Sequence, residues 1–106
     1  MDTREAYKEK YAAQLAEWAA RLDVLEAQAR KAKAQAKIDV APHVDRVHEH
    51  YEAAKAKLEQ VVQATDETWQ DVKEGADEAW HDVQRSLEGA LDALKAYDEK
   101  LESEKD

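Results

Sequence analysis

The sequence predicts an all-α protein: a long antiparallel helical hairpin that assembles as an oligomeric coiled coil or bundle. Three observations predict it. First, the 106 residues include no Phe, two Gly and one Pro, and 39% are charged. Ala, Glu, Lys, Leu and Gln dominate, and these lose little on entering a helix. Second, apolar residues step by 3 and 4 almost from end to end. Third, turn chemistry is concentrated at one place, Thr65-Asp66.

The first helix is expected over about 3–64. Tyr7, Tyr11, Leu15, Trp18, Leu22, Leu25, Ala29, Ala32 and Ala36 form a heptad seam, continued by Val40, Val44, Val47, Tyr51, Ala54 and Leu58. Pro42 lacks a donor and clashes with the preceding turn, so a kink is expected there. A turn is expected near 65–66, because Thr65 or Asp66 suits an N-cap and acidic residues follow. A hairpin at Pro42 is the alternative. Charge favours the turn at 65, which sets Arg30, Lys31, Lys33 and Lys37 against Asp98, Glu99, Glu102 and Glu104. The second helix is expected over about 67–103. There Leu58, Trp69, Trp80 and Leu91 lie 11 apart, as do Val61, Val72, Val83 and Leu94. Eleven residues make 3.67 per turn, a nearly straight helix.

The whole chain, 1–106, reads as one coiled-coil domain. Its apolar content is largely Ala, so at roughly 25 cal/mol per Å² an isolated two-helix hairpin would be marginal. A homo-oligomer, dimer or higher, is therefore expected. The anchors are Leu15, Trp18, Leu22, Leu25, Val47, Tyr51, Leu58, Trp69, Val72, Trp80, Val83, Leu87, Leu91 and Leu94.

The net charge is −9. Residues 1–64 carry eleven basic and eleven acidic side chains, so the whole excess falls in 65–106. An acidic rod argues against nucleic-acid partners. There is no Cys, no apolar run of transmembrane length and no leader-like start, and cytoplasmic residence is the default expectation. No Gly-rich phosphate loop or nucleophile–base spacing is present, so no enzyme, catalytic residue or cofactor is expected. Of the four histidines, His43, His48, His50 and His81, the last three, with nearby carboxylates, are the candidates for Zn²⁺, Ni²⁺ or Cu²⁺. Against this, no H-E-x-x-H is present, and exposed or flanking imidazoles are the simpler reading.

Thr3-Arg4-Glu5-Ala6-Tyr7, Gln14-Leu15-Ala16-Glu17-Trp18 and Leu25-Glu26-Ala27 resemble segments of small bacterial coiled-coil proteins described as stress-response proteins. Ala54-Lys55-Ala56-Lys57-Leu58-Glu59, Trp69-Gln70-Asp71-Val72-Lys73-Glu74-Gly75 and Ala79-Trp80 are similar too. The resemblance implies a turn at Thr65-Asp66, a role in stress tolerance and no particular chemistry. Pro42-His43 departs from its usually continuous first helix. A looser similarity is to apolipoprotein-like and desiccation-protective 11-residue-repeat helices. The expected function is thus a non-catalytic, self-associating helical interaction protein. The alternatives are a reversible amphipathic binder of lipid surfaces or unfolding proteins, and a His/carboxylate metal-binding bundle.

Overall fold

The fold comes from a computed structural model describing residues 3–31 and 34–104, without the side chains of 35–37 and 97–104. These residues form α1 (Thr3–Lys31), α2 (Ala34–Gln63) and α3 (Trp69–Glu104). Among the described residues, only 64–68 lie outside a helix. No helix is long and apolar enough to cross a membrane.

The expected single helix over 3–64, kinked at Pro42, is corrected to two helices. A continuous helix from 3 to 63 would measure about 90 Å, whereas the molecule's longest dimension is 61 Å. Glu26 lies opposite His48, and the cleft beyond is lined by Ala29 and Arg30 with Ala41, Val44 and Asp45, so α1 and α2 run antiparallel. Pro42 sits inside α2. It is exposed, and the carbonyl it leaves without a donor belongs to Ile38, itself 67% exposed, where water can serve it.

The second reversal has a cap built from two threonines. The Thr65 amide donates to Thr68 Oγ1 at 3.0 Å, and the Thr68 amide donates to Thr65 Oγ1 at 3.3 Å. The Thr65 carbonyl accepts from the Trp69 amide at 2.8 Å. This is the reciprocal arrangement of a capping box, with Thr in place of Glu. α3 then runs back along α2, and Lys57 lies across Gly75, with Nζ 3.5 Å from where a Cβ would be.

The core runs along the bundle. It holds Tyr11, Leu15, Trp18, Leu22 and Leu25 from α1, Val40, Val44, Val47, Ala54 and Val61 from α2, and Ala76, Ala79, Val83, Leu87 and Ala90 from α3. On α3 the buried positions Ala76, Val83 and Ala90 recur every seven residues. An 11-residue step advances about 20° per repeat around a 3.6-residue helix. That drift carries Leu91, two steps beyond Trp69, out of the core to 49% exposure. Leu91, expected as an anchor, lies on the surface of the single chain. The small α3 residues let α2 approach it closely. The α1–α3 seam is instead filled by large rings.

Candidate interaction face between the first and third helices

Five rings from α1 and α3 form one ladder along this seam. Trp69 meets Tyr7 edge-on, with centroids 5.4 Å apart, and Tyr7 meets Tyr11 at 5.9 Å. Tyr11 meets Trp80 at 5.3 Å, and Trp80 meets Trp18 edge-on at 5.0 Å. The steps 7, 11 and 18 keep three rings on one face of α1, and 69 and 80 keep two on one face of α3. Such edge and tilted pairs add about 0.5–1.5 kcal/mol each beyond the area they bury. Arg4 lies over the Trp69 ring at 5.9 Å and pairs with Asp66 at 3.1 Å, closing the ladder at its outer end.

Both tyrosine hydroxyls are used. Tyr7 donates to Asp77 Oδ1 at 2.6 Å, and Tyr11 donates to the Ala76 carbonyl at 3.2 Å. Lys73 donates to Asp77 Oδ2 at 3.1 Å and lies 5.5 Å from the Tyr7 ring centre. Burial first, then the Asp77 charge, pushes the Tyr11 phenol up to about 12. Burial and the hydrogen bond to Asp77 raise the Tyr7 phenol further. Partial burial alone would raise the Asp77 carboxyl. The donors from Tyr7 and Lys73, with the Lys73 and His81 charges, outweigh it and hold that carboxyl below its usual value.

Past Trp18 the ladder stops, because the next α1 residues on this face are Leu22 and Leu25, which carry no ring. The seam opens there into a groove of about 400 Å³ lined by Ala20, Val24, Leu25, Leu87 and Leu91, with Glu17, Arg21 and Gln28 at its rim. Val24 is 56% exposed. Glu17 and Arg21 neutralise each other at 2.7 Å. An adjoining cleft adds Gln14, Trp18, Gln84 and Glu88. The groove is apolar, shallow and long, a shape that fits a helix flank better than a small polar substrate.

The expected anchors divide between core and surface. Leu15, Trp18, Leu22, Leu25, Val47, Val83 and Leu87 are buried, while Tyr51, Leu58, Trp69, Val72, Trp80 and Leu94 are partly buried against the core. Sequence reasoning passed over Ala79 and Ala90, which are buried because α2 comes close. It also left unread the parallel pairing of α1 with α3, for which the Tyr and Trp positions were the only signal. The expected pairing of Arg30, Lys31, Lys33 and Lys37 with Asp98, Glu99, Glu102 and Glu104 falls on acidic side chains outside the described residues, where the Ala32, Ala36, Tyr97 and Leu101 side chains also lie.

The histidines do not converge. His48 sits between Glu26 and Glu52, at 4.0 and 3.9 Å. His50 is half-buried, with Nδ1 lacking a hydrogen-bond partner. His81 lines a separate cleft with Tyr7, Lys10, Asp77 and Trp80. Among the described residues, no group of three or more His, Cys, Asp or Glu is placed to hold a metal ion. No protein-family model, no curated protein and no solved structure matches the chain.

Proposed function

We propose that the chain is a non-catalytic helical interaction protein. It binds the apolar flank of a helix or of an unfolding segment, and it associates with copies of itself. The observation that carries this reading is the groove beside Leu25, Leu87 and Leu91, an apolar trough open to solvent on a chain of net charge −9. A fourth helix laid there would bury Val24 and Leu91, the two exposed large apolar residues on this face. The paired Glu17 and Arg21 would form a neutral rim. The resemblance to small stress-response coiled coils supports a role in stress tolerance.

Leu91→Glu is the direct test. The side chain is already half exposed, so the variant should melt within about 0.5 kcal/mol of the parent while losing binding to an amphipathic helical probe peptide. Undiminished binding by Leu91→Glu would remove the groove from the reading. The lipid or client-binding alternative draws on the same exposed apolar pair. It requires a free chain that gains helix on anionic or zwitterionic vesicles. Helicity that is already complete, and unchanged by vesicles, would argue for the first reading.

A further inference from the structure

We infer that the face between α1 and α3 takes one kind of partner: an amphipathic helix of about twenty residues, acidic in its first turn and carrying Lys or Arg beside apolar residues near its last. This rests on the groove reading above and adds the partner's charge order and direction.

The first observation is that the groove continues beyond its apolar part. The cleft at Lys10 and His81, the cleft at Gln14 and Gln84, and the apolar groove follow one another along one flank of the bundle. The α1 positions that line them, Lys10, Gln14, Glu17, Arg21, Val24 and Gln28, step by 4 and 3 and so share one face of that helix. On α3, Asp77, His81, Gln84, Glu88 and Leu91 do the same. From Tyr7 to Gln28 the trough spans about 30 Å, the length of a twenty-residue helix.

The second observation is the charge left over along this trough. At the Tyr7 end, Lys73 and Lys10 stand beside one carboxylate, Asp77, and Lys73 is the one that pairs with it, at 3.1 Å. Among the described residues Lys10 has no ion-pair partner, so this end keeps a surplus positive charge, to which His81 adds when protonated. At the other end Glu17 and Arg21 cancel at 2.7 Å, while Glu88 has no ion-pair partner among the described residues, so a surplus negative charge remains. The exposed apolar pair Val24 and Leu91 lies at the negative end. Arg4 is level with Asp66 and Trp18 with Trp80, so Glu88 stands level with about residue 26. Lys10 and Glu88 are thus about 24 Å apart along the trough. A complementary occupant is acidic over Lys10 and basic over Glu88. A helix's own dipole favours acid in its first turn and base in its last, so the matching helix runs in the direction of α1 and α3.

The experiment titrates the full chain at low salt with two synthetic helical peptides. One carries Glu in its first turn, Lys about sixteen residues later, and two Leu on the flank beside that Lys. The other has Glu and Lys exchanged and is otherwise the same. The parent should bind the first about tenfold more tightly, and the ratio should shrink as salt rises. The full-length double variant Lys10→Glu/Glu88→Lys changes only exposed positions. It should keep the parent's helicity and melting temperature and prefer the second peptide. Equal binding of both peptides by the parent, still lost in Leu91→Glu, overturns the charge order and leaves the groove reading standing. A double variant that keeps the parent's preference also overturns the inference. Binding of neither peptide overturns both, and vesicle binding that Leu91→Glu abolishes would in that case assign the groove to lipid.

Discussion

The turn before α3 and the attachment of α1 are made by opposite means. At 64–68 the turn is written locally, with Thr65 and Thr68 exchanging amide donors and hydroxyl acceptors before α3 begins. α1 is instead attached over a long sequence distance, by rings that it lays against α3. A locally written turn survives the loss of tertiary contacts. A long-range attachment fails with them. The contrast divides the bundle into an α2–α3 hairpin with a capped turn and an attached arm.

The largest expected effect is on the arm. Trp80→Ala removes the ring between Tyr11 and Trp18 and should cost about 3 kcal/mol or more. Hydrogen exchange should show protection lost first in α1, with α2 and α3 retaining theirs. Uniform loss would break the division into hairpin and arm. Next is Tyr7→Phe, which strands Asp77 without its shortest donor and should cost about 1.5 kcal/mol.

The same contacts set the pH limits. Asp77 is held below its ordinary value when folded, so its contribution is present above about pH 4 and is lost on acidification. Tyr7 and Tyr11 are raised when folded, so theirs is complete below pH 10. It fades as pH rises from 10 toward about 12, where the unfolded chain ionises first. Denaturant melts across pH should narrow at both ends, and Tyr7→Phe should flatten the acid limb.

Smaller effects fall on the written turn. Thr65→Ala removes an acceptor for the Thr68 amide and should cost about 1 kcal/mol, without altering the association state. Gly89→Ala should gain about 0.5–1 kcal/mol, because the added methyl meets nothing within 4 Å inside a helix. A loss there would mean that α3 needs a soft point.

Legibility in the sequence follows the same division. Helix, stripe and the Thr65 turn could be read because propensity, periodicity and capping act over a few residues. The antiparallel packing of α1 on α2 could not, since Pro42 offered a false stop on an exposed face. The face between α1 and α3 was half legible. Trp18, Trp69 and Trp80 were visible as costly anchors, but pairing Trp18 with Trp80, or Tyr7 with Asp77, joins residues more than 60 apart. The exposure of Leu91 was not legible, because an 11-residue spacing looks constant in sequence while rotating around the helix.

The central claim is that α1 packs antiparallel on α2, held by its rings against α3. Spin labels at exposed Ala16 and Ala56 measure it directly. The labels should lie within about 25 Å, as expected on neighbouring helices with axes about 10 Å apart. A separation near about 60 Å, the span of forty residues of continuous helix, would contradict the claim.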